Sequence, residues 1–74
     1  MQFYEYKGFV IYPAPQLAAG PGYWKVELVI KHDNKIRKFG DEKKLLTKGE
    51  AVFHSIQYGK KLIDDGIVLL DEAV

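Results

Sequence analysis

The chain has 74 residues, no cysteine and a formal net charge of +1, and 47% of its residues are hydrophobic. This composition excludes a disulfide framework and a thiolate zinc site, and it predicts a single folded domain over residues 1–74 rather than disorder. No stretch is apolar for long enough to span a bilayer, and the first residues do not look like a signal peptide, so we expect a cytoplasmic protein.

The first third of the chain predicts one strand followed by a long connection. Residues 3–12 are rich in aromatic and β-branched types and stop at Pro13, as strands often do. Gly8 inside this segment indicates a bulge or a close approach of another backbone. Residues 13–22 contain three prolines and two glycines, so they predict a loop between antiparallel neighbours.

The middle of the chain predicts a hairpin. Apolar side chains recur at every second position of residues 23–32, which is typical of a strand with one face in the core. Asp33-Asn34 supplies a turn, and residues 35–39 return as a short strand. A two-residue turn places Phe39 beside Leu28 in the core, whereas a three-residue loop places Ile36 inward. We favour Phe39 inward, since a small core gains most from an aromatic side chain.

The last third predicts a connection over Gly40 to Leu46 and then a helix over about residues 48–64. Thr47 and Glu50 form the pattern of a capping box, and Leu45 or Leu46 is placed to act as a hydrophobic staple. The predicted inward stripe is centred on Val52, Ile56, Gly59 and Ile63 and is flanked by Ala51, Ser55 and Leu62.

Two glycines of this region have predicted roles. Gly59 lies in the middle of the helix, where it costs about 1 kcal/mol relative to Ala, so we expect it to allow close packing on the sheet, against Trp24. Gly66 is placed to end the helix.

The predicted fold is therefore α+β: a three-stranded antiparallel β-sheet with one C-terminal α-helix packed on one face (β-β-β-α). Residues Ile67 to Leu70 are interpreted as a short C-terminal strand, a tail packed on the core or an oligomer contact. One helix covers one side of a sheet only, so the other face is expected to be open.

Catalytic and metal chemistry find little support in the sequence. His54 and Ser55 are neighbours on a helix and point about 100° apart, which does not make a nucleophile and its base. His32 and His54 lie in separate elements, and Asp64-Asp65 is typical of a solvated helix end. We therefore predict no enzymatic activity, no cofactor and no metal.

Binding is the predicted function, through a protein partner or self-association on the open sheet face. The alternative is nucleic-acid binding, with Tyr4, Tyr6, Tyr12 and Tyr23 available for base stacking and the basic hairpin Lys31 to Lys38 for phosphates. The candidate partner surface is Tyr23, Lys25, Lys31, Lys35, Arg37 and Lys38.

The chain also resembles a group of small bacterial domains of unknown function. The landmarks of this resemblance are Lys7-Gly8-Phe9-Val10-Ile11, Pro13 and Pro15, Trp24, Thr47 with Glu50-Ala51, and Tyr58-Gly59-Lys60 leading to Ile63-Asp64. It implies the fold and transfers no functional residue. The order of elements is similar to that of the arm-type DNA-binding domain of integrases, and to an antitoxin domain with a partial double-stranded-RNA-binding fold. In the antitoxin domain a glycine-rich turn precedes the helix, and Phe39-Gly40-Asp41 is the segment of this chain that resembles it.

Overall fold

The structure is a computed structural model, and it describes residues 2–18 and 22–69. Its elements are β1 (Tyr4–Tyr6), β2 (Phe9–Pro13), β3 (Gln16–Leu17), β4 (Trp24–His32), β5 (Lys35–Leu45) and α1 (Lys48–Asp64). The fold is α+β with an antiparallel sheet and one C-terminal helix, as predicted, but the described residues form five strands rather than three.

The sheet is four strand positions wide, because β2 and β3 occupy the same side of β4. Pro13 of β2 lies opposite Leu28, and Gln16 of β3 lies opposite Lys25. Between them the Ala14 N–H donates to the Glu27 carbonyl at 2.8 Å, so the ladder continues past the prolines. The positions across the sheet are therefore β1, then β2 with β3, then β4, then β5.

The predicted first strand is wrong in one respect: it is a hairpin. Tyr6 pairs with Phe9 across the two-residue turn Lys7-Gly8, and both turn residues have positive φ, 51° and 84°. Gly8 is thus a turn residue rather than a bulge. Lysine seldom adopts positive φ, so the Lys-Gly pair lacks the usual signal of such a turn.

The predicted loop over residues 13–22 is also partly wrong, because Gln16 and Leu17 form strand pairs with β4. An edge position tolerates the flanking prolines, since a strand there needs donors on one side only. Residues 19–21 of that loop lie outside the described residues.

The hairpin of β4 and β5 confirms the predicted register. Asp33 and Asn34 both have positive φ, 49° and 64°, and Leu28 lies opposite Phe39. Ile36 points away from the core and is 65% exposed.

The predicted connection over residues 40–46 is instead mostly strand, since β5 continues to Leu45. The ladder is irregular between Lys25 and Val26, where two extra residues of β5 bulge out. Leu45 is buried at the end of β5, so it is not part of a loop. Leu46 is 82% exposed, so it does not act as the predicted hydrophobic staple.

The helix begins and ends at the predicted residues. The Glu50 N–H donates to the Thr47 hydroxyl oxygen at 3.1 Å, and that hydroxyl lies 3.2 Å from the Glu50 carboxylate. At the other end Gly66 has φ of 75°, and its N–H donates to the Ile63 carbonyl while the Ile67 N–H donates to that of Leu62. These two bonds form a Schellman motif, which ends the helix at glycine.

Small residues bring the helix close to the sheet. Its buried residues are Ala51, Ser55, Gly59, Leu62 and Ile63. Val52 and Ile56, predicted at the centre of the stripe, are only half-buried. A Cβ on Gly59 would lie 2.9 Å from Leu28 Cδ1 and 3.0 Å from two Ile11 carbons, so the predicted close packing is confirmed, against these residues rather than Trp24.

Among the described residues after the helix, Val68 packs on the core, and residues 65–69 form no strand. Val68 is buried, and the Arg37 guanidinium donates to the Ile67 carbonyl at 3.3 Å and to the Val68 carbonyl at 3.1 Å. Of the predicted segment Ile67 to Leu70, Leu70 lies outside the described residues. Of the three predicted alternatives, the described part of the segment matches the packed tail, through the single buried residue Val68.

Candidate binding surface

Among the residues that the structure describes, α1 covers one face of the sheet and no element covers the other. Ile11, Val26, Leu28 and Ile30 face the helix and are at most 1% exposed. Side chains alternate along a strand, and residues paired across strands share a face, so the register assigns the opposite side. We call this side the open face and define it by two rows of residues: Glu5, Val10, Lys31 and Ile36 in one, and Phe3, Tyr12, Val29 and Lys38 in the other.

Three of the four residues that the two inner strands contribute to the open face are apolar, and the fourth is Lys31. Val10, Tyr12 and Val29 lie on the two inner strands and are half-buried. The Phe3 and Tyr12 ring centroids are 5.9 Å apart, so Phe3 extends this area toward the β1 edge. At the opposite edge Ile36 adds a second large exposed side chain. A contiguous apolar patch with charged surroundings is typical of an interaction surface.

The charged residues of the open face are distributed unevenly across it. Glu5 lies on β1, at one edge, and Lys38 lies on β5, at the other. Lys31 is on β4 beside Ile36, so positive charge is concentrated toward the β5 side. The open face therefore carries Glu5 at one edge, Lys38 at the other, and three apolar residues with Lys31 between them.

A hollow continues the open face at the irregular end of the β4–β5 ladder. Its lining includes Tyr23, Lys25, Glu27, Gly40 and Lys44, and the Lys44 ammonium lies 4.7 Å from the Tyr23 ring centroid. The lining carries both signs of charge, and the bulge of β5 opens the space. This hollow holds two of the predicted partner residues, Tyr23 and Lys25.

The structure separates the six predicted partner residues into two groups. Lys31 and Lys38 lie on the open face, and Tyr23 and Lys25 lie in its adjoining hollow. Lys35 pairs with His32 and Arg37 pairs with Ile30, so both are placed on the helix side.

Arg37 also holds the carbonyl groups of the packed tail and lies 5.1 Å from the Phe39 ring. Successive side chains of a strand point to opposite faces, so the predicted strand over residues 35–39 already separates Arg37 from Lys38. Treating residues 31–38 as one basic surface overlooks that alternation.

The partner surface predicted from the sequence omits Phe3 and Ile36. The favoured register already places Ile36 outward, and the same register puts it beside Lys31. The position of Phe3 could not be predicted without the turn at Lys7-Gly8, because that turn folds β1 back and brings Phe3 beside Tyr12.

Tyr4 and Tyr6 lie on the helix side, not on the open face. The Tyr6 hydroxyl lies within hydrogen-bond distance of both Asp64 carboxylate oxygens, at 3.0 and 2.9 Å, and the Lys7 ammonium donates to Asp64 at 2.7 Å. The Lys60 ammonium lies 4.5 Å from the Tyr4 ring centroid and 5.5 Å from that of Tyr6. These contacts hold the β1–β2 hairpin against the end of α1.

This cluster shifts two pKa values. The hydrogen bond from Lys7, followed by that from Tyr6, lowers the pKa of the Asp64 carboxyl below its usual value. The same bond to Asp64 raises the pKa of the Lys7 ammonium. Both groups are exposed, so the pair is a surface contact that orients the hairpin.

The other polar residues that could serve catalysis or metal binding make structural contacts instead. Ser55 is fully buried, and its hydroxyl donates to the Ala51 carbonyl at 2.7 Å. The His32 ring stacks on Phe9 with centroids 4.1 Å apart, and Asp65 pairs with Lys61 at 3.0 Å while Asp64 turns to Lys7. Residues 2–18 and 22–69 contain no group of three or more His, Cys, Asp or Glu side chains placed to hold a metal ion.

Comparison with protein-family models, with curated proteins and with solved structures finds no match to this chain. That outcome agrees with the prediction of a small domain without a confident family name, while the resemblance to bacterial domains stays a prediction. Within the part of the chain that the structure describes, α1 is too short and too polar to cross a membrane.

Proposed function

We propose that this chain is a cytoplasmic, non-enzymatic binding module that contacts another protein through its open face. The observation that carries the proposal is the apolar middle of that face. Val10, Tyr12 and Val29 form it, and Phe3 and Ile36 extend it toward both edges with 57% and 65% of their surface exposed. Burying this area on a partner removes apolar surface from water, which is the main driving force of protein association.

The arrangement of charge favours a protein over a nucleic acid. Binding to a phosphate backbone is strongest where basic side chains collect without acids between them. Glu5 lies in the same row as Lys31, and Glu27 lies between Lys25 and Val29 along β4. Of the four tyrosines predicted to stack on bases, Tyr4 and Tyr6 contact Lys60 on the helix side. Nucleic-acid binding is therefore the outcome that the experiment must separate from protein binding.

The test places a photo-crosslinking phenylalanine analogue at one exposed position on each side of the molecule. Ile36 represents the open face, and Phe53 of α1 is the matched control, since the two side chains are 65% and 58% exposed. The chain is irradiated in cells, and the covalent adducts are separated with and without nuclease treatment.

We expect nuclease-resistant protein adducts from position 36 and few or none from position 53. Equal adducts at the two positions contradict a specific role of the open face. Adducts from position 36 that disappear with nuclease favour the alternative function, nucleic-acid binding.

A further inference from the structure

We infer that the β5 edge, the side of residues Lys35 to Gly40 that faces away from β4, binds an extended acidic segment of the partner protein as a further strand of the sheet. This inference rests on the proposed function and names the chemical class of the partner. Strand addition takes its affinity from the unpaired backbone of an edge and its selectivity from the side chains beside that backbone. The β5 edge supplies both, through outward backbone groups and basic side chains.

The β5 edge is the long edge of the sheet among the described residues. β5 has 11 residues and pairs with β4 alone, whereas the opposite edge is formed mainly by β1, with three residues, and β3, with two. Very short strands are one way in which proteins prevent an edge from pairing with another chain. That protection is missing along β5, which stays in regular register from Lys35 to Gly40, about the usual length of a strand.

The turn between β4 and β5 determines which backbone groups of β5 point outward. Both turn residues have positive φ, as in a type I′ turn, so the flanking residues His32 and Lys35 form a hydrogen-bonded pair. Hydrogen-bonded and non-hydrogen-bonded pairs alternate along an antiparallel ladder. The pairs that Ile36, Lys38 and Gly40 make with β4 are therefore of the second kind. The N–H and C=O groups of these three residues point away from β4, toward the β5 edge.

Nothing that the structure describes covers these outward groups. Among the described residues, no backbone hydrogen bond joins β5 to an element other than β4, and all three residues are exposed. The packed tail contacts β5 through the Arg37 side chain, on the helix side of the sheet. The N–H groups of Ile67 and Leu69 bond back to Leu62 and Gly66. The β5 edge is therefore available to a further strand.

The side chains along the β5 edge are basic and select an acidic partner. From Lys35 to Gly40 the chain carries Lys35, Arg37 and Lys38 and no acid. A strand laid beside β5 brings its Cβ atoms to about 5 Å from those of β5, where unlike charges attract and like charges repel. Lysines on an edge strand normally oppose pairing with a second copy of the same strand. The same lysines favour a segment that carries Asp or Glu.

The test titrates the isotope-labelled chain with a hexapeptide in which Glu alternates with Val or Thr, and follows hydrogen exchange of the backbone amides by NMR. We expect exchange to slow about tenfold at Ile36, Lys38 and Gly40, whose N–H groups point to the β5 edge. Exchange at Arg37 and Phe39 should not change, because their N–H groups already bond to β4. The same peptide with every backbone nitrogen methylated keeps the charge, lacks the donors and should protect none of these amides.

Ile36→Pro and Ile36→Ala separate the contribution of the backbone from that of the side chain. Proline removes the outward N–H without removing a bond to β4, and such a position on an edge strand tolerates proline. Alanine keeps the N–H and removes most of the apolar side chain. We expect Ile36→Pro to weaken binding of the Glu peptide at least about tenfold and Ile36→Ala to weaken it much less.

Exchanging the charges tests the selectivity without changing the backbone. The double variant Lys35→Glu with Lys38→Glu should bind the Glu peptide about tenfold more weakly, as expected for two like-charge cross-strand pairs. It should bind the corresponding Lys peptide, which the wild type rejects. Lys61→Glu, at an exposed position of α1, is the charge control and should leave the affinity for both peptides unchanged.

A wild-type chain that binds the Glu peptide no better than the Lys peptide overturns this inference. So does binding that protects the two sets of amides equally, or protection of the β5 edge that rises with protein concentration alone, which indicates a second copy. Tighter binding of a single-stranded oligonucleotide than of the Glu peptide has the same consequence. If the peptide fails and position 36 still crosslinks to a protein, the proposed function stands and only the acidic segment is wrong.

Discussion

Substituting Gly59 by Ala tests how closely the helix packs on the sheet. A Cβ at this position would lie 2.9 Å from Leu28 Cδ1 and 3.0 Å from Ile11 Cδ1 and Cγ2. Comfortable carbon–carbon contacts are about 3.5–4.0 Å, so the three carbons must move by roughly half an ångström or more. Leu28 and Ile11 are 1% and 0% exposed, so neither has free space to move into.

Two effects of opposite sign decide the outcome. Alanine gains about 1 kcal/mol over glycine in the middle of a helix, whereas forcing an extra carbon into a packed core costs about 1–3 kcal/mol. Because three contacts are too short at once, we expect the upper part of that cost. The net loss in the free energy of unfolding should be about 1–2 kcal/mol.

Gly49→Ala is the matched control on the same helix. Its Cβ would meet nothing within 4 Å, so only the propensity effect remains and stability should rise by up to about 1 kcal/mol. Urea unfolding of both variants, followed by far-UV circular dichroism, measures the two changes with opposite signs. A Gly59→Ala variant as stable as the wild type, or more stable, would refute the close-packing explanation.

Three further predictions concern contacts at the ends of the helix. The lowered pKa of Asp64 means that its bond to Lys7 stabilises the fold above the usual carboxyl pKa, about 3.9. This contribution is lost as the pH falls through the lower folded-state pKa. In a series of urea titrations, the stability difference between wild type and Asp64→Asn should therefore shrink from pH 5 to pH 2. Thr47→Ala should cost about 1 kcal/mol of unfolding free energy and Thr47→Ser much less, since serine also caps; equal losses would contradict the cap. Arg37→Gln should lower stability by about 1 kcal/mol and speed amide exchange at Leu69, without reducing the protein adducts formed from position 36, since Arg37 contacts the tail and not the open face.

The basic hairpin Lys31 to Lys38 is divided between the two faces of the sheet. From the sequence, Lys31 to Lys38 is treated as one basic surface, but successive side chains of a strand point to opposite faces of the sheet. Lys31 and Lys38 share the open face, while Arg37, between them in sequence, points to the helix side. Variants at Lys38 and Arg37 should therefore affect different properties, association in one case and stability in the other.

Local signals were sufficient where the determining interactions lie within a few residues. The Thr47–Glu50 capping pattern and Gly66 predicted both ends of α1, because a cap and a positive-φ glycine satisfy the backbone groups of their own helix end. Asp33-Asn34 predicted the turn of the main hairpin, and with it the placement of Phe39 and Ile36, because a two-residue turn fixes the strand register.

The tertiary structure decided what depends on distant parts of the chain. Lys7 occupies a positive-φ turn position while its ammonium is bound to Asp64, 57 residues away, and no local signal predicts that contact. Likewise β3 and the second half of β5 exist as strands because β4 offers them backbone partners, despite prolines in one case and a charged, bulged sequence in the other. The sequence alone predicted that one face of the sheet is left open. The two extra strands and the place of Phe3 beside Tyr12 follow from pairings that only the tertiary structure shows.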